Sequence, residues 1–244
     1  MSRRKISKNM IKYLEDSLNC ENVMTFITKS KKNNDTIIVD DILVTYEIIN
    51  YQSNKSKESV QRIFDVYDIM TEANYTGFEY FPYIYGVLDC HNDTNNYYLF
   101  RENFQGNLVE LIDNIEHSSD WYDIIFQIIM IGYYLYDIIG IKYQFNIKEL
   151  LYNKLNKPYY KEYKIGDHNI TINHKYLIVI WNPNTINKND INQININMDF
   201  LLLHLKNHDV KIPPSNRIIK LMQDVAEPDS NIPDIIQEYY GVHK

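Results

Sequence analysis

Apolar residues in the first half of the chain recur with two different periods. Near the start they fall three and four residues apart, the spacing that places them on one face of an α-helix. That stripe consists of Ile6, Met10, Ile11, Leu14 and Leu18. Runs of β-branched and aromatic residues follow, separated by polar stretches typical of loops. They predict strands at residues 23–28, 36–39, 42–49, 81–88 and 97–101, with a helix at 59–73.

The second half of the chain is dominated by helical periodicity. The pattern predicts helices at 107–115, 122–139, 198–208, 215–225 and 232–240, with strand-like runs near 163–165 and 175–181. Early strands and late helices, without βαβ alternation, indicate an α+β fold in two lobes. We expect a small β-rich N-lobe at residues 1–102 and a helical C-lobe at 103–244. The most apolar run, 124–136, is shorter than the roughly 20 residues that a bilayer requires.

Composition excludes several classes of activity. The 244 residues include only seven glycines, and no two of these are close neighbours. Phosphate-binding loops and the nucleophile elbow of α/β-hydrolases need clustered glycines, so both are absent. The net charge of −7 gives no general attraction to nucleic acid. The basic residues at the start, from Arg3 to Lys8, are expected to be solvated.

The two cysteines, Cys20 and Cys90, are too few for a disulfide framework. They indicate a reducing compartment, and core filling is the role we expect for them. The residues after the basic start are too polar for a secretion signal. Ile, Asn, Tyr and Lys dominate the composition, which is the bias of an A/T-rich genome.

The ordered series of elements resembles a protein kinase. Residues 81–86 resemble the fourth strand of the kinase N-lobe, and residues 98–108 resemble the fifth strand, the hinge and the next helix. Residues 126–141 resemble the central C-lobe helix, and 150–152 with 176–183 resemble the hairpin that reaches the metal-binding motif. The similarity is to serine/threonine kinase-like proteins of large DNA viruses and is best between residues 81 and 204. It implies a protein-kinase-like bilobal fold with a reduced helical C-lobe.

The resemblance also shows that the kinase motifs of the C-lobe are altered. It places Tyr143 at the histidine of the catalytic loop, Phe145 at the catalytic aspartate and Leu150 at the metal-binding asparagine. Trp181 stands where the family has the aspartate that binds Mg²⁺. Phenylalanine cannot accept a proton from a substrate hydroxyl, and neither leucine nor tryptophan offers Mg²⁺ an oxygen ligand.

Two N-lobe positions depart from the family in the same way. Glu47 occupies roughly the position of the ATP-binding lysine, and a carboxylate there would repel phosphate. No lysine or arginine lies between Asn33 and Asn54 that could replace that lysine. Arg101 falls at the gatekeeper position, which is usually apolar.

These departures predict a catalytically inactive kinase-like protein, a pseudokinase, that acts as a scaffold or as a subunit of a larger viral complex. It would need no cofactor and no metal. It would bind protein partners, with no membrane and no nucleic acid indicated, in the host cytoplasm or the virion. One alternative is a divergent active kinase that uses non-standard residues. Another is a structural virion or assembly protein of unrelated α+β fold, in which the apolar replacements are ordinary core residues.

Two further patterns concern binding. The stripe from Ile6 to Leu18 suits docking into a partner's groove, but packing on the protein's own N-lobe is a slightly better interpretation. His204 and His208 are four residues apart on a predicted helix, as in a metal pair. Zinc sites need three or four ligands, so exposed and half-buried histidines without a metal are the better interpretation.

Overall fold

Helices and antiparallel strands occur in both halves of the chain, as expected for an α+β fold. The computed structural model describes residues 3–33, 35–50, 69–70, 72–74, 78–138, 145–181, 196–228 and 230–241. The chain divides into two units, Met1–Asn103 and Phe104–Lys244, called here the N-terminal and C-terminal units. Most of the helix predicted at 59–73 lies outside the described residues, although 69–70 and 72–74 are helical.

Two helices open the N-terminal unit, α1 (Arg3–Ser17) and α2 (Val23–Ser30). The strand predicted at residues 23–28 is therefore wrong. Val23 and Ile27 are buried whereas Met24 is 48% exposed, so the inward positions lie four residues apart, as on a helix. The β-branched and aromatic residues of this segment favour a strand locally, but packing against the unit's core decides its structure.

The sheet of this unit has four antiparallel strands. They are β1 (Thr36–Val39), β2 (Ile42–Asn50), β3 (Ile84–Cys90) and β4 (Asn96–Glu102), and their order across the sheet is β1-β2-β4-β3. A short helix, α3 (His91–Thr94), joins β3 to β4. The strands predicted at 36–39, 42–49 and 97–101 are confirmed, and the one predicted at 81–88 begins three residues later than expected.

The apolar stripe of α1 packs inside the N-terminal unit. Met10 and Leu14 belong to its hydrophobic core, Leu18 packs against that core, and Ile6 and Ile11 are half-buried. This corrects the expectation of a partner-binding helix in favour of the alternative. The physical reason is that one face of the sheet supplies a continuous apolar surface for the helix, formed by Ile37, Val39, Val44, Tyr46, Tyr98 and Phe100.

Arg3 is also part of this unit's interior contacts, so the basic start of the chain is not fully solvated. Its guanidinium donates two hydrogen bonds to the carboxylate of Glu102, at 2.8 and 2.6 Å. It donates two more to the backbone oxygens of Glu79 and Phe81, and it lies 5.0 Å from the centre of the Tyr83 ring. Bidentate arginine–carboxylate pairs fix geometry as well as charge, so the first turn of α1 is tied to the end of β4.

Cys20 and Cys90 form a disulfide, although 70 residues separate them. Cys20 lies in the turn between α1 and α2, and Cys90 is the last residue of β3. The expectation of two free core cysteines is wrong, because two isolated cysteines give no sign in the sequence that the fold brings them together. Disulfides persist in oxidising environments, so the argument from cysteine count for a reducing compartment loses its support.

The C-terminal unit begins with short elements and a buried helix. These are β5 (Gly106–Asn107), α4 (Leu108–Asp113), α5 (Asp120–Tyr133) and a π-helical turn (Tyr134–Ile138). Its hairpin is formed by β6 (Leu150–Ile165) and β7 (His168–Ile180), and its last helices are α6 (Asp199–Asn207), α7 (Asn216–Ala226) and α8 (Ile232–Tyr240). The late helices were predicted within one or two residues. Among the described residues, no helix is long and apolar enough to cross a bilayer.

The β6–β7 hairpin is much longer than the two short runs that the sequence predicted. The three strands of this unit have the order β5-β6-β7, and β5 pairs only with the first residues of β6. The hairpin turns at Gly166, whose φ of 57° lies in the left-handed region that glycine adopts readily. Residues 156–160 are all exposed, so this part of β6 lacks the polar–apolar alternation that identifies a strand in a sequence.

Candidate functional site

The two N-terminal positions expected in a nucleotide site form an ion pair with each other. Glu47 on β2 and Arg101 on β4 lie on paired strands, and the Arg101 Nε donates to the Glu47 Oε1 at 3.0 Å. The Arg101 side chain is 11% exposed and also donates to the backbone oxygen of Glu102. The pair leaves no net positive charge at the position where the resemblance places an ATP-binding lysine.

The expected catalytic positions in the C-terminal unit are apolar and mostly buried. Phe145 is 6% exposed and stacks on Phe200, with ring centres 5.7 Å apart. Leu150 is fully buried at the start of β6, opposite Ile180. The Trp181 backbone N–H donates to the Glu149 oxygen at 2.9 Å, directly after β7. Tyr143 lies outside the described residues.

The three of these positions that the structure describes supply no group that could hold a metal or move a proton. The side chains of Phe145, Leu150 and Trp181 carry no oxygen, and Mg²⁺ requires oxygen ligands. Across the described residues, no group of three or more histidines, cysteines, aspartates and glutamates could hold a metal ion. The structure therefore brings Glu47 and Arg101 together in one unit, and it places the other three at the two ends of the hairpin and in the loop before it.

A buried polar network in the C-terminal unit was not predicted from the sequence. Asp123 on α5 is 5% exposed and accepts four hydrogen bonds. Its Oδ1 accepts from the Nδ1 of His174 and from the Nε2 of Gln127, both at 2.7 Å. Its Oδ2 accepts from the backbone N–H groups of Lys175 and Tyr176, at 2.7 and 3.0 Å. The aspartate is thus an internal anchor between α5 and β7.

The network holds the outer edge of β7 against α5. Gln127 donates to the backbone oxygen of Tyr176 at 3.0 Å and accepts from the backbone N–H of Ile178 at 2.8 Å. On the other side of the imidazole, the Nε2 of His174 lies 2.6 Å from the hydroxyl of Tyr163. The chain Asp123–His174–Tyr163 has the connectivity of a proton relay, but His174 is 1% exposed. Its position supports a structural role, in which side chains bond to the backbone of a strand edge that has no partner strand among the described residues.

A second carboxylate continues this network toward the surface. Asp120 accepts from the ammonium of Lys175 and from the hydroxyl of Tyr176. Burial, and then the charge of Asp120, raise the pKa of the Tyr176 phenol well above its ordinary value. The phenol therefore stays protonated and acts as a hydrogen-bond donor at every ordinary pH.

The histidine in α6, His204, and the histidine at its C-cap, His208, stack on each other. The ring centres of His204 and His208 are 4.2 Å apart and nearly parallel. Burial, and then the neighbouring His208, lower the pKa of His204. The Nδ1 of His208 lies 3.0 Å from the backbone oxygen of His204, so this nitrogen is taken by the helix end.

Two surface depressions have a size relevant to ligands. One in the N-terminal unit has a volume of about 220 Å³ and is lined mainly by apolar residues of α1 and β3, among them Leu14, Leu18 and Leu88. It is smaller than the roughly 300–1,000 Å³ of typical ligand pockets. One in the C-terminal unit has about 380 Å³, and its only cation, Lys154, is paired with Glu116 at 2.7 Å. Neither depression includes an expected kinase position.

No sequence model of a described protein family matches the chain. The chain is, however, 43% identical over 273 aligned positions to a protein of Acanthamoeba polyphaga mimivirus named "Uncharacterized protein R691". The alignment covers 99% of both chains. The chain belongs to the family of this mimivirus protein. The giant-virus origin expected from the composition and the resemblance agrees with this relative.

The sequence does contain a sign of the buried polar network, although it did not predict the network's residues. Asp123 and Gln127 are polar residues four apart in an otherwise apolar run, so they occupy one face of a buried helix. Polar groups on a buried face need partners, which predicts a hydrogen-bonding network. His174 lies at the inward phase of the alternation Ile170, Ile172, His174, Tyr176. The signal indicates that partners exist but not which residues they are.

Proposed function

We propose that this protein is a catalytically inactive kinase-like protein, a pseudokinase, that works as a scaffold or as a subunit of a larger viral complex. The observation that carries the proposal is the burial of Phe145 and Leu150 at the positions of the catalytic aspartate and the metal-binding asparagine. A proton acceptor and a metal ligand are replaced there by apolar side chains. Burying each contributes roughly 1.5–3 kcal/mol to stability, so these positions now serve the core.

The antiparallel sheet of the N-terminal unit supports the kinase-like part of the proposal. A long connection separates β2 from β3, and it includes helical residues at 69–70 and 72–74. The resemblance implies a β-rich N-lobe with one long helix, and these elements agree with it.

The ion pair between Glu47 and Arg101 supports the absence of nucleotide binding. A phosphate-binding lysine must present a free positive charge, whereas Arg101 is already neutralised by Glu47. The side chains at positions 145, 150 and 181 add no ligand for the Mg²⁺ that accompanies ATP. A domain without these groups acts through what it binds.

The proposal is tested by measuring ATP binding to the full chain. A ligand present at 100 times its dissociation constant stabilises the folded state by about 2.7 kcal/mol, which raises the melting temperature by several degrees in a protein of this size. We expect no rise in melting temperature with 5 mM ATP and Mg²⁺, and no phosphate transfer to a general kinase substrate. The variant Glu47→Lys puts a lysine at the position where the resemblance places the ATP-binding lysine. It should not restore ATP binding.

A clear rise with ATP and Mg²⁺ that is lost in Phe145→Ala would contradict the proposal. That outcome would favour a divergent active kinase. If no nucleotide binds, isolation of the tagged protein from infected cells should recover stoichiometric viral partners. Recovery of the protein alone in a monomeric state would contradict the scaffold role.

A further inference from the structure

The apolar depression of the N-terminal unit lies between α1 and β3, a strand at the edge of the sheet. Leu14 and Leu18 of α1 line one side of it, and residues 85–88 of β3 line the other. Its volume of about 220 Å³ is below the roughly 300 Å³ at which typical ligand pockets begin, so it accepts side chains and not a whole ligand. Residues 86–88 are half-buried, which leaves this part of β3 accessible to solvent.

The Cys20–Cys90 disulfide joins the two sides of this depression. Cys20 comes two residues after Leu18, and Cys90 comes two residues after Leu88. The covalent bond therefore limits how far the two sides can move apart. A site that already has its bound shape loses less conformational entropy on binding, which favours affinity.

β3 also has an unpaired edge beside the depression. Residues 86–90 pair with β4 in regular register, and on the other side of β3 no strand pairs with it among the described residues. In an antiparallel strand every second residue directs its N–H and C=O away from the partner strand, so this edge offers hydrogen bonds to a further strand. The opposite edge strand, β1, is partly closed, because the backbone N–H groups of Lys32 and Asn33 donate to the Thr36 oxygen.

Gly86 leaves space in the depression. A Cβ atom at this position would meet no heavy atom within 4 Å apart from its neighbours in the chain. The residue lies opposite Phe100 on β4, and both line the depression. Glycine inside a strand often marks a place where another backbone or a ligand approaches closely. The space at Gly86 is therefore available to a partner's side chain.

The surroundings of the depression are acidic. Residues 13–22 and 84–94, which contain its two sides, include five aspartates and glutamates but no lysine or arginine. All of these acidic residues are exposed, and they are Glu15, Asp16, Glu21, Asp89 and Asp93. Lys12 lies one turn of α1 before Glu15 and offsets only part of this charge. A partner for this surface should therefore carry lysine or arginine beside its apolar residues.

We propose that β3 binds an extended segment of a partner protein, which joins the sheet as a further strand. The segment's backbone pairs with the outer edge of β3, its alternate apolar side chains enter the depression, and its lysine or arginine faces Glu15 and Asp89. In this mode of recognition the main-chain hydrogen bonds supply affinity and the pocket supplies specificity. The proposal rests on the scaffold role, because it states the chemistry of one partner.

Other occupants leave part of this surface unused. A second copy of the chain would bring two acidic surroundings together, and like charges repel. Nucleic acid would be repelled for the same reason. A small apolar molecule could enter the depression, but it would use neither the backbone edge nor the carboxylates. An extended segment that is both apolar and basic uses all three features.

The test is a selection of random peptides of about ten residues, displayed on phage, against the full chain. We expect the enriched peptides to have apolar residues at alternate positions, with lysine or arginine beside them. The best peptide is then labelled, and its affinity is measured by fluorescence anisotropy. Gly86→Val fills the depression with a side chain that meets no neighbour, so it should weaken binding at least about tenfold without lowering the melting temperature. Glu15→Lys should weaken binding about two- to fivefold.

N-methylation of the peptide backbone tests the added strand directly. Only every second N–H of the peptide can donate to β3. Methyl groups at one set of alternate positions should therefore abolish binding, whereas those at the other set should be tolerated. This measurement uses the unaltered protein, so it decides the proposal even if Gly86→Val lowers stability.

Matched controls lie outside the depression. Ile38→Ala removes an exposed apolar side chain from β1, the opposite edge strand, and Asp167→Lys reverses an exposed charge in the C-terminal unit. Each should change the affinity less than about twofold. The proposal is overturned if no peptide is enriched, if a stable Gly86→Val variant binds the peptide as tightly, or if methylation of either set has the same effect. The scaffold role survives that result if isolation from infected cells still recovers viral partners.

Discussion

Removal of the Cys20–Cys90 disulfide should destabilise the N-terminal unit specifically. The bond closes a loop of 70 residues. On the chain-entropy account, a cross-link of that span stabilises the folded state by about 4 kcal/mol, because it restricts the unfolded chain. We therefore expect reduction, or the double variant Cys20→Ser/Cys90→Ser, to lower the free energy of unfolding by about 4 kcal/mol. With a typical slope, the urea midpoint of this unit falls by about 2 M.

The two tryptophans make the assay selective. Trp121 and Trp181 both lie in the C-terminal unit, so tryptophan fluorescence follows that unit. Amide hydrogen exchange in peptides from residues 3–33 and 84–102 follows the N-terminal unit. Reduction should speed exchange in these peptides and leave peptides from α5 unchanged.

The reasoning about the disulfide would be refuted by two results. One is a native, unreduced protein in which both thiols react with an alkylating reagent. The other is an N-terminal unit whose exchange and urea midpoint are the same with and without reductant. The single variant Cys20→Ser is the control for unpaired thiols, and it should lose as much stability as the double variant.

Three further predictions concern the C-terminal unit. Asp123→Ala removes the acceptor of four hydrogen bonds, three of them fully buried, so it should cost about 3–5 kcal/mol in urea unfolding followed by tryptophan fluorescence. The exposed Asp167→Ala should cost little. Phe145→Asp places a carboxylate against the Phe200 ring, so it should lower the melting temperature without producing kinase activity. A variant as stable as the original protein would show that this position is open to water. The lowered pKa of His204 means that the unfolded chain binds a proton more readily, so stability is present above about pH 6.5 and is lost as the pH falls below it. His204→Gln should flatten that dependence in urea unfolding between about pH 7 and 5, and an unchanged slope would contradict the assignment.

The fold class could be predicted from the sequence because the strongest patterns are local. The helices near 215–225 and 232–240 bury one face with the expected period, and each begins at a side-chain N-cap, Ser215 or Asn231. The segment at 23–28 could not be predicted, since its strand-forming residues are overruled by packing that only the folded unit supplies. The middle of β6 could not be predicted for the opposite reason. Its residues are exposed, so they lack the polar–apolar alternation that identifies a strand.

For the candidate site, too, residue types could be predicted from the sequence but contacts between distant residues could not. That Phe145 and Leu150 are apolar is evident from the sequence, and their burial follows from their residue type. The pairing of Glu47 with Arg101 depends on the register between β2 and β4, which no local pattern specifies. The disulfide and the Asp123 network join residues more than 50 positions apart, so their residue types were visible but their partners were not.

The way α5 covers the edge of β7 has a consequence for the solubility of the hairpin. Sheets that end in open strands can grow by adding copies of themselves, which is how many proteins form fibrils. In this protein, Asp123 and Gln127 already occupy the outward backbone groups of Lys175, Tyr176 and Ile178, so addition of a strand along this part of β7 is blocked. On the other side, Pro158 cannot donate a ladder hydrogen bond, and the lysines of two approaching copies would repel each other. The chain can therefore expose a long aromatic hairpin with less risk that copies associate through it.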